Sequence, residues 1–189
     1  MKMLKERRIA FIIAVIVVLA SMLFGVHRSI SKEVRKVEAQ FYDGVYIKAE
    51  KYVQPSIDSQ LSKRIDSALG LVTLAQKYEA LQNEAQELRD ARSGLMNASG
   101  IEDKYLANVQ MQNAYDILCE GFSAVSFADN DAAAYSNYTS SFDGAGRVIM
   151  NSNYNMAVSE FERMSGKFPV SLLRGVTFAR MPEYFGVEG

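Results

Sequence analysis

The chain has 189 residues, 49% of them apolar, with three prolines, no tryptophan and one cysteine. That allows one ordinary domain plus an appendage, suits helices, and excludes an intramolecular disulfide framework. A net charge of −1 hides an asymmetry: residues 1–36 carry eight basic and two acidic groups, while residues 37–189 carry 13 basic and 20 acidic ones, a net −7. An acidic body argues against nucleic acid as a partner, because neutralising phosphates needs a basic face.

Residues 1–8 form a short basic tail, and Ile9 to Val26 is an uncharged apolar run of 18 residues. As a helix that run spans roughly 27 Å, close to the hydrocarbon thickness of a bilayer. The competing reading is a cleaved signal, with Ala20 as a tolerable cleavage residue. The apolar run continues through Ser21-Met22-Leu23-Phe24, longer than a usual signal core, which favours an uncleaved signal-anchor. The expected address is a single-pass protein of the cell (inner) membrane, with the lipid bilayer as partner through Ile9 to Val26. Four basic residues precede the run and four follow it, so charge gives only a lean, from the cluster Lys5-Glu6-Arg7-Arg8, toward a cytoplasmic N-terminus and an extracytoplasmic body.

Residues 27–189 read as a helical-bundle domain. Over 29–54, Ile30, Val34, Val37, Phe41, Val45 and Ala49 recur at spacings of three and four, which predicts a helix continuing from the membrane. Gly44 weakens it without forbidding it, Pro55 interrupts it, and Ser56 is placed to cap a new start. The stripe Ile57, Leu61, Ile65, Ala68, Leu69, Val72, Ala75, Leu81, Ala85 and Leu88 predicts a second helix to about Arg92, with Lys63, Arg64, Asp66, Lys77 and Glu79 as its solvated face. Ser99-Gly100-Ile101-Glu102 has capping-box spacing and predicts a third helix from Ile101, with Leu106, Val109, Asn113, Ile117, Gly121 and Ala124 as one stripe and Tyr115, Leu118, Phe122 and Val125 beside it. A fourth begins between Asp131 and Tyr138 and runs to Gly166 and Pro169, with the stripe Tyr138, Phe142, Ala145, Ile149, Ser152, Met156, Phe161 and Met164 toward the core. Phe168 is expected beneath a returning tail that holds one more short helix. No run alternates strictly enough to predict strands. The fold class is therefore all-α: an N-terminal transmembrane helix followed by an antiparallel four-helix bundle of long helices.

The sequence offers no catalytic, cofactor-binding or metal residues. A di-iron bundle needs Glu-x-x-His on two helices, whereas the single histidine, His27, stands at the membrane edge. Without a second histidine there is no Ser-His or Cys-His pair and no usual zinc set. Asp129-Asn130-Asp131 starts like a calcium loop, but Ala133 and Ala134 occupy ligand and turn positions. Cys119 reads as a small buried hydrophobe. Glu84, Glu87 and Asp90 read as a solvated face, and Asn97-Ala98-Ser99 and Asn137-Tyr138-Thr139 match a short glycosylation pattern.

The segment Asn153-Tyr154-Asn155-Met156-Ala157-Val158, then Phe168-Pro169, then Phe178 and Pro182-Glu183-Tyr184-Phe185, resembles the C-terminal signature of the LemA family. Gln60-Leu61-Ser62-Lys63-Arg64-Ile65-Asp66, Leu71-Val72 and Gln76-Lys77-Tyr78 are similar to an earlier stretch of that family, so the resemblance covers roughly residues 30–186. The chain departs from the pattern at Ser67-Ala68-Leu69 and at Met150-Asn151-Ser152, as a divergent member would. The resemblance implies a membrane-tethered helical bundle with no assigned enzymatic activity and no cofactors. It also implies an N-terminus outside the cell, opposite to the charge lean. Together these readings lead to the expectation of a non-enzymatic interaction or scaffold protein at the bacterial cell envelope, with unknown protein partners and homo-oligomers both allowed. The alternative is a ligand-sensing bundle coupled to the membrane helix. Tyr154 and Asn155 are expected to fix the bundle.

Overall fold

The computed structural model describes residues 2–128, 130–168 and 170–186, and within the first eight residues the side chain of Arg7 alone. Asp129, Pro169 and the side chains of Lys5, Glu6 and Arg8, which figured in the expectations above, lie outside the described residues. The fold is all-α with one small hairpin: α1 Lys2–Asp43, β1 Val45–Ile47, β2 Tyr52–Gln54, α2 Ile57–Ala75, α3 Gln82–Asn97, α4 Ile101–Ser123, α5 Asp131–Met150, α6 Tyr154–Ser165 and α7 Val170–Thr177. The chain falls into two compact units. One comprises residues to Glu38 with Met156–Pro182, and the other Ala39–Asn155 with the chain from Glu183.

The first unit contains the apolar run. Along α1, whose 42 residues extend about 63 Å, the most apolar window has a mean hydropathy of 3.0 and none of it is buried. This helix is long and apolar enough to cross a membrane. Among the described residues of this unit, Val34, Val158, Phe161, Ser165, Ala179 and Pro182 are buried. Met156 and Met164, expected in the core, are exposed, because the buried stripe of α6 runs through Tyr154, Val158, Phe161 and Ser165 instead. Phe168 is exposed as well.

The second unit holds the bundle. Helix α2 packs along α5 and along α3, and α3 packs along α4. The stack of Tyr115 on Phe142, with ring centroids 3.9 Å apart, joins α4 to α5. A Cβ at Gly70 of α2 would meet Tyr138, while Arg64 lies against Phe142 and Gly146. Residue numbers thus fall on one helix as they rise on the other, so α2 and α5 are antiparallel. Short links likewise reverse α2 into α3 and α3 into α4. Helices α2 to α5 thus form an antiparallel four-helix bundle, but not from the four helices expected: the expected second helix is divided into α2 and α3, and the expected first, continuing from the membrane, ends at Asp43.

Each boundary that moved has an identifiable cause. The helix from the membrane stops at Asp43 instead of continuing to residue 54. Gly44 adopts φ +88°, and a Cβ there would sit 2.3 Å from the Gln54 carbonyl oxygen. The chain turns into an antiparallel pair with Val45 opposite Gln54 and Ile47 opposite Tyr52. Ser56 does cap α2, accepting from the Ser59 N–H at 3.1 Å. That helix ends at Ala75, short of Arg92, without glycine or proline. Tyr78 is drawn into an extended conformation by packing edge-on against Phe122 and Phe127, and its hydroxyl donates to Asp131. Gln82 then donates to the freed carbonyls of Gln76 and Tyr78. The expected fourth helix is two helices, α5 and α6, parted at Asn151–Asn153. Gln54 donates to the Asn151 carbonyl and accepts from the Asn153 N–H.

The apolar stripe assigned to α4 is also corrected. Leu106, Val109 and Ile117 are exposed, while Ile101, Asn108, Met111, Tyr115, Leu118 and Phe122 are buried.

Candidate functional site

The bundle interior contains one cation where a hydrophobe belongs. Buried Ile57, Leu61, Arg64, Ala68, Leu71 and Ala75 recur at alternating spacings of four and three along α2, and Arg64 is only 3% exposed. Expected on the solvated face, it is a core residue. Its Nη1 donates to Asn108 Oδ1 and its Nη2 to Gln112 Oε1, both on α4. Gln112 in turn donates to Asp116 at 2.8 Å, so the nearer amide relays the cation toward a carboxylate at the surface. The guanidinium carbon lies 4.0 Å from the ring centroid of Phe142, a cation–π arrangement with a ring that also stacks on Tyr115. Nε is buried with no partner. Burial lowers the Arg64 pKa to about 10, against the opposing field of Asp143, then Tyr115 and Asp116. At neutral pH the group therefore remains a cation, held by amides and an aromatic face.

Beside it runs a groove of about 420 Å³, with Arg64, Asn108, Asn113, Asp143 and Arg147 among its polar lining and Val109, Ile149 and Met150 as apolar lining. Its charged lining is mixed, two cations beside one carboxylate, with apolar side chains adjacent. A second groove of about 330 Å³ lies where Asp58 and Lys104 pair, near Leu95 and Met96.

One layer away, Cys119 lies half-buried between Tyr115 and Tyr135. Burial pushes the thiol up, although hydrogen bonds with Tyr135 and Tyr115 pull against that. Burial raises both phenols too. All three are protonated at neutral pH, as ordinary phenols and thiols largely are, and a protonated thiol is a poor nucleophile.

A third constellation gathers around Tyr154 and Asn155. The fully buried Tyr154 donates its hydroxyl to the Glu183 carbonyl at 2.6 Å. Asn155 donates to the Phe185 carbonyl and accepts from the Phe185 N–H, each at 3.0 Å. The ring of Phe185 sits among Phe41 and Tyr105, and Phe41 also meets Tyr154 edge-on. Glu183 then reaches the start of α4, where its carboxylate accepts from the Ile101 N–H at 2.8 Å and the Glu102 N–H at 3.4 Å. The capping box expected from Ser99 and Glu102 is not used. Gly100 occupies the cap position at φ +94°, and Glu183 supplies the acceptor from the tail, a favourable place for a negative charge.

The remaining candidates have structural surroundings. His27 Nδ1 donates to the Thr177 carbonyl at 3.0 Å. Asp131 accepts from Lys77 and Tyr78, and those hydrogen bonds hold its carboxyl below the ordinary range. Glu84 is half-buried, with Oε2 lacking a hydrogen-bond partner, whereas Glu87 and Asp90 are exposed. Asn97 is the last residue of α3, and Asn137 is an exposed residue within α5. Among the described residues, no group of three or more His, Cys, Asp or Glu side chains could hold a metal ion. Sequence reasoning missed Arg64 and Asn108, although both occupy positions on the four-and-three stripes of their helices. No family model matches the chain, and no curated protein matches it either.

Proposed function

We propose that the protein is a single-pass membrane protein of the bacterial cell envelope, a divergent relative of the LemA family, whose bundle acts as a non-catalytic interaction or scaffold module. The observation that carries this reading is the uncovered apolar surface of α1, because a bare helix of mean hydropathy 3.0 has a favourable solvent only in lipid.

Retention in the membrane pellet after alkaline extraction, with release on deleting residues 2–28, is the expected result. Release of the intact chain would overturn it. Sidedness follows from a Lys167→Cys probe in a Cys119→Ser background. Labelling by a membrane-impermeant maleimide in intact cells is expected if the body lies outside the cytoplasm.

The groove beside Arg64 favours a second reading, a sensor for a small carboxylate with an apolar portion. In that case acetate-to-hexanoate homologues should raise the melting temperature of the detergent-solubilised protein with increasing concentration, since a ligand selective for the folded state stabilises it. Arg64→Met should abolish the effect.

A further inference from the structure

The C-terminal part of the first unit exposes an apolar series: Met164, Phe168, Leu172, Val176 and Phe178. Phe178 is 90% exposed and Phe168 82%, values that water-facing phenylalanines do not favour when clustered. Phe178 also adopts φ +52°, a left-handed conformation that is strained for a bulky side chain and commonly marks function. Helix α7 is amphipathic in the sense that matters here, with Leu172 and Val176 one turn apart on its exposed face and Leu173 and Thr177 turned partly inward.

The level of this surface along α1 is fixed by one hydrogen bond. His27, the residue immediately after the apolar run, donates to the carbonyl of Thr177, the residue immediately before Phe178. A helix rises about 1.5 Å per residue, so a phenylalanine tethered there lies within a turn or two of the end of the run. From that point the chain leads on to Arg180, which forms a two-pronged ion pair with Glu38 at 2.7 and 2.6 Å. The exposed lysines and arginines nearby, Arg28, Lys32 and Lys167, supply the charge that anionic headgroups attract.

We infer that α7 and its flanking residues Phe168 and Phe178 form a second membrane contact, an interfacial amphipathic element inserted among headgroups and upper acyl chains beside the point where α1 leaves the bilayer. The occupant of this apolar face is the lipid surface, because the hydrogen bond of His27 to Thr177 holds the face at the end of the apolar run of α1. This inference rests on the reading of α1 as a membrane anchor.

The chain lacks tryptophan, so single reporters can be placed without background. Full-length Phe178→Trp and, separately, Phe11→Trp are reconstituted in vesicles of phosphatidylcholine and phosphatidylglycerol carrying brominated acyl chains. Both reporters are expected to show blue-shifted emission and quenching, deepest with bromine high on the chain for residue 178 and with bromine near the chain ends for residue 11. An unquenched residue 11 overturns the anchor and the inference together. A quenched residue 11 with an unquenched, water-like residue 178 overturns the inference alone. A residue 178 that is blue-shifted but unquenched also overturns it, by showing that protein, such as a second copy of the chain, covers this face. Leu172→Trp gives an independent reading of the same face.

Discussion

Apart from the buried Phe161, the two units treat phenylalanine in opposite ways. In the bundle unit Phe41, Phe122 and Phe142 are buried to within 1% of their surface, whereas in the unit containing the apolar run Phe24, Phe168 and Phe178 stand 68% to 90% exposed. Burying a phenylalanine fully is worth roughly 1.5–3 kcal/mol, so an evolved chain seldom forgoes it repeatedly. The proposed membrane contact would make the difference one of solvent: a protein core in one unit and lipid in the other. Stability should therefore be concentrated in the bundle unit, and substitutions can test where the division falls.

The largest expected effect comes from Tyr154. Tyr154→Ala should destabilise the protein by about 3–5 kcal/mol, since it opens a cavity in a fully buried site. Tyr154→Phe should cost only about 1–2 kcal/mol, by leaving the Glu183 carbonyl without its donor. Urea denaturation in detergent micelles, followed by circular dichroism, distinguishes the two. An unchanged midpoint for Tyr154→Ala would show that the tail does not lock the bundle.

Arg64 comes next. Arg64→Ala should cost about 2–3 kcal/mol, because Asn108 and Gln112 lose a charged donor inside the core. Arg64→Met should cost less, since it restores volume and removes a desolvated charge. Equal losses would mean that the hydrogen bonds matter more than the volume. The same layer predicts an alkaline limb. Burial raises Tyr115 and Tyr135 above the ordinary value of 10, so the unfolded chain gives up those protons first, and the stability they contribute is present below pH 10 and lost above it. Arg64, lowered to about 10 from 12.5, acts in the opposite direction over that window. Two phenols against one guanidinium leave a net fall in the urea midpoint above pH 10, and Tyr115→Phe should flatten it.

Much of this bundle was legible because its signal is local. The helical spacing of α2, α4 and α5 and the uncharged run of α1 needed only neighbours three or four residues away, although the buried face of α4 was misassigned. What escaped depends on distant partners. Tyr78 breaks the α2–α3 segment through contacts with residues 122 to 131, and α4 takes its cap from Glu183, more than 80 residues away. Arg64 was misread because charge argued for solvent while position argued for core, and here position prevailed. The hairpin at 45–54 was hidden for a third reason: strands of three residues are too short to show alternation, and Val45 and Ala49 happen to continue a helical spacing.

Gly44 tests that last point. Gly44→Ala should cost roughly 1–3 kcal/mol, because alanine is strained at φ +88° and its Cβ would collide with the Gln54 backbone. Loss of the hairpin should also loosen the α5–α6 break that Gln54 bridges, visible as faster amide exchange at Asn153. A wild-type stability would indicate that the first helix can run on through residue 44 as its spacing suggests.

The smallest expected effect is the most informative about the division between the units. Phe178→Asn removes an aromatic ring that is 90% exposed and places there a residue that tolerates the left-handed backbone better. If water were the solvent of this face, the substitution should be neutral or slightly stabilising in every medium. If lipid is the solvent, the urea midpoint in detergent should stay within about 0.5 kcal/mol of the parent, while quenching of a Leu172→Trp reporter by brominated lipid should fall. A large loss of stability would instead place Phe178 in a protein core, and the contrast between the two units would then be one of degree rather than of solvent.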